Sequence, residues 1–107
     1  MAIVVAPNQA FSYPVVGYGF DITGCVQDGT TVNHITLTGI DPEYAFAGLL
    51  IVDVSTDQTG TAEAAYACVD TDTIVNLANA SQTVTFDLYV RSATGAHTNA
   101  TVRVFLY

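Results

Sequence analysis

The sequence predicts an all-β protein: an antiparallel β-sandwich, jelly-roll or immunoglobulin-like, with at most one short helix. Two observations support this fold class. Several short stretches alternate apolar and polar residues with the period of two that marks a strand with one buried face. Turn-forming residues separate these stretches at the spacing of about 8–12 residues typical of sandwiches. Because the 107 residues contain no internal repeat or linker, residues 1–107 are predicted to form one domain.

The clearest alternation lies in residues 82–107. Two apolar runs there each keep to one predicted face: Val84, Phe86, Leu88 and Val90, then Val102, Val104 and Leu106. The small polar residues of 92–99 predict a loop, so the two runs are expected to pair as a hairpin. In that register Arg103 lies opposite Tyr89 and diagonal to Asp87. Since a single hairpin is marginally stable in water, the rest of the chain is expected to supply a second apolar layer.

A second hairpin is predicted in residues 20–38, around the dipeptide Asp28-Gly29, which is typical of a type I′ turn. Centring the register on this turn pairs Phe20 with Leu37, Ile22 with Ile35 and Val26 with Thr31. The opposite, polar face then carries Cys25 and His34. Both strands agree on which side is the core, which supports the register.

The remaining elements are shorter. Strands are expected at residues 3–5, 15–20, 49–54, 62–69 and 73–77, although the composition of 62–69 also favours helix. The nearly continuous apolar run at 49–54 predicts a buried strand. Asp41-Pro42-Glu43 predicts the start of a helix of one or two turns, and Asp70-Thr71-Asp72 predicts a turn. Gly17 and Gly19 indicate a bulge or a close backbone approach; without a third glycine or a following helix they do not predict a phosphate loop.

Composition bounds the function. The chain has no Lys, and its two Arg residues oppose ten carboxylates, so the formal net charge is −8. Nucleic acid and anionic membranes would be repelled and are excluded as direct partners. No apolar run approaches the roughly 20 residues of a membrane span. The first residues carry neither a basic region nor a long apolar core, so we expect synthesis in the cytoplasm without a signal peptide.

The sequence evidence for a catalytic or metal-binding site is weaker than the evidence for the fold. Cys25, His34 and Asp21 could be drafted as a nucleophile, a base and an orienting acid, but no nucleophile elbow marks such a site. Four aspartates suit turns better than a calcium loop: Asp53, Asp57, Asp70 and Asp72. We therefore expect no enzyme activity, no cofactor and no metal.

The two cysteines leave two alternatives. Cys25 and Cys68 lack zinc-ligand spacing, and in a cytoplasmic product buried free thiols are the favoured interpretation. A disulfide between them remains open, because it depends on whether their strands lie opposite each other. The chain has no Trp, so the Cys-Trp-Cys core of a true immunoglobulin domain is excluded.

Binding to other proteins is the stronger expectation. With 11% charged residues, against about 25% in typical soluble domains, the surface is largely neutral and is cheaply desolvated in an interface. Phe11, Tyr13, Tyr18 and Tyr44 lie in or near predicted loops as aromatic anchors, and Arg91 is expected to reach a carboxylate on a partner. The same aromatic residues would also suit a sugar, which makes a carbohydrate-binding module the alternative.

In its general character the whole chain, from Met1-Ala2-Ile3-Val4-Val5 to Val102-Arg103-Val104-Phe105-Leu106-Tyr107, resembles the small decoration, or cement, proteins of tailed-phage capsids. Those proteins are commonly compact, β-rich and without a signal peptide. The resemblance implies a noncatalytic virion protein of a bacteriophage that binds capsid subunits and copies of itself as a homo-oligomer. A viral tail or fibre component is a further alternative.

Overall fold

The computed structural model of the chain describes residues 1–11, 17–56, 65–79, 81–92 and 100–107. These residues form eight strands: β1 (Ala2–Val5), β2 (Gln9–Phe11), β3 (Gly17–Cys25), β4 (Asn33–Leu37), β5 (Leu49–Thr56), β6 (Ala65–Val75), β7 (Val84–Ser92) and β8 (Ala100–Leu106). The described residues contain no helix that is long and apolar enough to cross a membrane.

The strands form two four-stranded sheets that pack face to face, which confirms the predicted β-sandwich. The first sheet has the order β1-β4-β7-β6, and the second has the order β2-β3-β8-β5. All neighbouring strands are antiparallel except β1 and β4, which run parallel from Ala2–His34 to Val5–Leu37. The first strand of the chain therefore lies at one edge of the first sheet.

The core lies between the inner faces of the two sheets. Its fully buried members come from both layers: Ile35, Leu37, Val84, Phe86, Leu88 and Val90 from the first sheet, and Phe20, Ile22, Val102, Val104 and Leu106 from the second. Every one of them lies on the face that the alternation predicted to be apolar. Their burial removes a continuous apolar layer from water, and this is the main force that holds the sheets together.

Both predicted hairpins are wrong in their pairing. β7 pairs with β4 and β6, whereas β8 pairs with β3 and β5. In the same way β3 and β4 belong to opposite sheets. Alternation determines which face of a strand is buried but not which strand lies beside it, and a connection of several residues can cross the ~10 Å between packed sheets as readily as it turns within one. The loop was predicted at 92–99; Ser92 is the last residue of β7, and residues 93–99 lie outside the described residues.

Two local predictions in the first half of the chain are also corrected. Cys25 is buried rather than on the polar face, because the pairing of β3 with β8 shifts register between Ile22 and Cys25. Such a bulge adds a residue and reverses the side-chain direction beyond it. The predicted helix at Asp41 is a single turn, in which the Tyr44 N–H donates to the Asp41 carbonyl over 3.2 Å.

Two strands in the second half differ from their predictions. β5 is an edge strand, not a buried one: Leu50 and Val52 are 53% and 55% exposed. β6 runs through the predicted turn at 70–72, with a register shift between Asp70 and Val75. The Thr73 hydroxyl bridges this shift, since it donates to the Asp70 carbonyl and accepts from the Asp87 N–H. The predicted strand residues 15–16 and 62–64 lie outside the described residues.

Candidate functional site

A groove of about 180 Å³ lies on the outer face of the first sheet, over β6 and β7. It is lined by Gly29, Tyr66, Ala67, Cys68, Tyr89, Val90 and Arg91, and is called the tyrosine groove below. The strand register creates it, because Tyr66 pairs with Arg91 and Cys68 with Tyr89. Leu88 and Val90 point into the core, so the alternate residues of β7 point outward.

The connection from β3 to β4 forms one wall of the groove. Its Asp28-Gly29 turn lies against β7, where the Gly29 N–H donates to the Val90 carbonyl over 2.9 Å. Gly29 has φ +77°, and a Cβ there would lie 3.2 Å from the Arg91 Cδ. Glycine is needed both for the backbone conformation and for the space beside Arg91. The predicted turn therefore exists, but it docks one sheet's connection onto the other sheet instead of closing a hairpin.

A buried asparagine anchors that wall. Asn33 is fully buried, and its Oδ1 accepts from the Val26 N–H over 2.9 Å. Its Nδ2 donates to the Val26 carbonyl at 3.0 Å and to the Leu88 carbonyl at 3.2 Å. The Asn33 amide thus satisfies backbone groups of the connection, at Val26, and of β7, at Leu88. Buried backbone N–H and C=O groups require such partners. The position of the groove wall depends on this side chain.

Asp28 does not neutralise Arg91, although the two residues form an isolated antiparallel bridge. Its carboxylate instead accepts from the Thr31 hydroxyl at 2.6 Å and from the N–H groups of Thr31 and Thr30 at 2.7 and 2.9 Å. These bonds stabilise the charged form and hold the pKa of Asp28 well below its ordinary value, with the Thr31 hydroxyl as the largest cause. No carboxylate of the described residues lies within ion-pairing distance of Arg91.

The other arginine has the opposite environment. Arg103 pairs with Asp21, with 2.8 Å between Nε and Oδ1 and 3.5 Å between Nη2 and Oδ2. The hydrogen bond and charge of Asp21 raise the pKa of the Arg103 guanidinium above its ordinary value. Local engagement of Arg103 was predicted, but with Tyr89 and Asp87, which lie in the other sheet; that pairing is wrong. Asp53 faces Arg103 from the neighbouring strand.

A second candidate surface is the outer face of the second sheet, where four side chains form what is called the apolar face: Leu50, Val52, Phe105 and Tyr107. Leu50 is the cross-strand neighbour of Phe105, and the Phe105 and Tyr107 rings stack with centroids 6.2 Å apart. Gly17 makes room for this stack, since a Cβ there would lie 2.6 Å from the Phe105 ring. A Cβ at Gly17 would also lie 2.6 Å from the Leu106 carbonyl oxygen, so the predicted close backbone approach is found at Gly17, whereas a Cβ at Gly19 would have no contact shorter than 3.5 Å.

The aromatic residues predicted to bind a partner do not form one site. Tyr18 packs against the core, contacts Phe46 edge-on at 5.9 Å and accepts a hydrogen bond from the Asp41 N–H. Tyr44 is also packed against the core. Phe11 lies at the end of β2, and Tyr13 lies outside the described residues. Of the predicted set, Arg91 is exposed and lines the groove; the partner-binding roles of all five remain predictions.

The rejected catalytic set is dispersed. Cys25 is buried, and burial raises the pKa of its thiol to about 11, which disfavours the nucleophilic thiolate. His34 lies on the outer face of the first sheet, with its Nδ1 2.7 Å from Asp87 Oδ1. Asp21 lies on the other sheet with Arg103.

Both cysteines are free, so the disulfide alternative is excluded, although Cys68 is exposed rather than buried. Among the acids, the Asp70 Oδ1 accepts from the Asp72 N–H, as expected of aspartates that bond their own backbone. Asp57 lies outside the described residues. Across the part of the chain that the structure describes, no group of three potential metal ligands is found.

Sequence reasoning missed Tyr66, Tyr89 and Asn33 as determinants of the groove. Tyr66 is 62% exposed, and Tyr89 is half-buried beside it. A signal was present, because both tyrosines alternate with apolar residues on their strands, but their proximity requires the β6–β7 register. Comparison of the chain with protein-family models, with curated proteins and with solved structures gave no significant match.

Proposed function

We propose that this chain is a noncatalytic structural protein that decorates or cements a virion capsid through contacts with capsid subunits and with its own copies. The observation that carries the proposal is the apolar face, where Leu50, Val52 and Tyr107 are all substantially exposed around Phe105. Exposed apolar and aromatic side chains that cluster in one patch often mark a protein interface, whereas single exposed apolar side chains do not.

Charge supports the same interpretation. Next to the apolar face, Arg103 is paired with Asp21, so the one charge there without a direct ion-pair contact among the described residues is the carboxylate of Asp53. A partner could cover the ion pair at a small electrostatic cost, since burying a charge already paired costs less than burying an isolated one. The remaining acids keep the free chain soluble and limit nonspecific association.

The fold suits attachment to a lattice. Both surfaces lie on outer faces of sheets whose inner faces form a single core, so side chains there can be changed without loss of the core. Sheet faces are also rigid, which lowers the entropy lost on binding compared with a mobile loop. The resemblance to small phage decoration proteins adds the capsid as the partner.

The experiment compares the chain with the variant Leu50→Asp/Val52→Asp. Sedimentation velocity reports self-association, and cosedimentation with virions from cells that produce the chain reports attachment. We expect the wild type to assemble and attach, and the variant to lose attachment about tenfold or more, because two charges enter the centre of the contact. Ser55→Asp, an exposed change on the same strand, serves as the matched control.

The outcomes are distinct. A wild-type chain that stays monomeric and cosediments with no particle would refute the assembly proposal as a whole. Equal attachment of the wild type and the double variant would show that the apolar face is not the contact. Thermal melts of both variants check that loss of attachment does not reflect loss of fold.

A carbohydrate-binding module is the second candidate, and the tyrosine groove is the observation that favours it. Tyr66 and Tyr89 expose aromatic surface on which a sugar ring could stack. Binding of a defined glycan panel, abolished by Tyr66→Ala, would favour this function over assembly.

A further inference from the structure

We propose that the tyrosine groove binds an extended, acid-bearing peptide segment of a partner protein, with the carboxylate on Arg91 and an apolar side chain against Tyr66 and Tyr89. This inference rests on the proposed function only in requiring a protein partner. It concerns the opposite face of the molecule from the apolar face and names the chemistry that the groove selects.

Charge complementarity is the first argument. Arg91 lies at the groove with no carboxylate of the described residues in ion-pairing distance, and the carboxylate of Asp28, on the turn bridged to Arg91, is hydrogen-bonded to Thr30 and Thr31. Among the described residues, the groove therefore holds a guanidinium that forms no ion pair. Because the whole chain carries −8, a polyanion is repelled while one carboxylate beside neutral residues is accepted.

The size and lining of the groove select the second element of the ligand. The tyrosine groove has a volume of about 180 Å³ and is open to solvent, so it has room for one side chain rather than for a longer segment. The rings of Tyr66 and Tyr89 and the sulfur of Cys68 favour an aromatic or branched aliphatic side chain. One apolar side chain therefore fills the groove.

The edge of β6 favours an extended backbone. β6 lies at the end of the first sheet, and along Ala65–Asp70 it pairs with β7 on one side, with no described strand on the other. Unpaired N–H and C=O groups on such an edge bind an added strand, and specificity then comes from pockets for alternate side chains. An added strand would lie about 5 Å from β6 and about 10 Å from β7, a distance that the combined lengths of a Glu and the Arg91 side chain can span across Tyr66. Side chains two positions apart on that strand would share the outer face with Tyr66, so the acid and the apolar residue are expected at positions i and i+2.

A displayed library of random linear peptides, selected on the intact chain, tests this directly. We expect enriched sequences that carry Asp or Glu two positions from an aromatic or branched aliphatic residue. A synthetic peptide with that sequence is then titrated by NMR against the wild type, Arg91→Gln, Tyr66→Ala and the control Arg103→Gln. The dissociation constant is expected to rise about tenfold or more in the first two variants and to stay unchanged in the control. Replacing the peptide's acid with its amide should have the effect of Arg91→Gln.

Several results would overturn the proposal. These are enrichment of peptides without an acid, binding that is insensitive to Arg91→Gln, and failure to enrich any sequence. Concentration-dependent dimerisation lost in Arg91→Gln would make a second copy the occupant instead, and glycan binding lost in Tyr66→Ala would make it a sugar. If Leu50→Asp/Val52→Asp abolishes particle attachment while no peptide binds, this inference fails and the proposed function stands.

Discussion

Each of the two sheets carries one arginine on its outer face, and the two arginines differ in their ionic contacts. On the second sheet Arg103 is held by Asp21 and lies opposite Asp53, so its charge is used within the fold. On the first sheet Arg91 lies beside two tyrosines, and the carboxylate of Asp28 on the bridged turn is hydrogen-bonded to Thr31. One arginine forms an ion pair within the fold, and the other forms none with the described residues.

The reason for the difference is the path of the chain rather than the residue type. The connection from β3 to β4 crosses between the sheets and places Asp28 beside Arg91. The Asp28 carboxylate, however, accepts hydrogen bonds from the N–H groups of Thr30 and Thr31 in its own turn. On the second sheet Asp21 lies directly across from Arg103, and its carboxylate accepts both from the Arg103 Nε and from the Asn8 Nδ2, which donates to Oδ2 over 2.7 Å. Among the described residues, the difference is that Asp21 forms an ion pair with its arginine, whereas the Asp28 carboxylate is hydrogen-bonded within its own turn.

Substitutions on the inner faces of the sheets are expected to lower the free energy of unfolding more than any on the outer faces. Phe86 is buried between the sheets, so Phe86→Ala is expected to cost about 3–5 kcal/mol of the free energy of unfolding through lost burial and an unfilled cavity. Urea denaturation measures it. Thr85→Ala, on the outward face of the same strand, is the control and should change stability by less than about 0.5 kcal/mol. A loss below about 1 kcal/mol for Phe86→Ala would contradict the assigned face.

Removing the anchor of the groove wall tests whether the first face depends on the crossing connection. Asn33→Ala leaves three backbone groups of Val26 and Leu88 without their partner, so we expect a loss of about 2–4 kcal/mol. Asn79→Ala, at an exposed asparagine, is the matched control. Hydrogen exchange of the Val26 amide should accelerate in the first variant. A stable Asn33→Ala variant would mean that water replaces the amide.

Gly29 tests the wall itself. Gly29→Val forces a β-branched residue to positive φ and places its Cβ against the Arg91 side chain, so a loss of more than about 1 kcal/mol is expected. Gly24 also has positive φ but has open space around it, so Gly24→Val reports the backbone strain without the contact. The difference between the two melting temperatures isolates the contact with Arg91. Equal losses would show that Arg91 moves aside freely.

The sequence predicted the faces of the strands far better than their neighbours. The alternation of Val84, Phe86 and Leu88 requires one buried face, and that face is buried. Nothing in a period of two distinguishes a strand that turns back beside its predecessor from one that crosses to the other sheet. The connection at 26–32 looked like a hairpin turn because Asp28-Gly29 has turn chemistry, yet its Asp forms the turn while Asn33 fixes the crossing.

The candidate site was predictable to the extent that it depends on one residue. Arg91 was expected to be exposed, and it is. Tyr18 shows the limit of that reasoning: an aromatic residue beside two glycines suggested a surface anchor, whereas β3 directs it onto the core. The groove joins residues from three separate segments, so it requires the pairing of β6 with β7, which local pattern does not contain.

Replacing each arginine by glutamine has the smallest expected effect on stability, and it tests the contrast between Arg91 and Arg103 most directly. Arg103→Gln removes an exposed ion pair and should lower the stability of the fold slightly, whereas Arg91→Gln should leave the urea midpoint unchanged, because Arg91 has no described ionic partner to lose. The thermodynamic cycle of Arg103→Gln with Asp21→Asn isolates the coupling between the two charges. Raising the salt concentration to about 1 M should shrink this coupling, since an exposed attraction is screened. An Arg91→Gln variant destabilised as much as Arg103→Gln would show that Arg91 is also used within the fold, and the contrast between the two faces would then be lost.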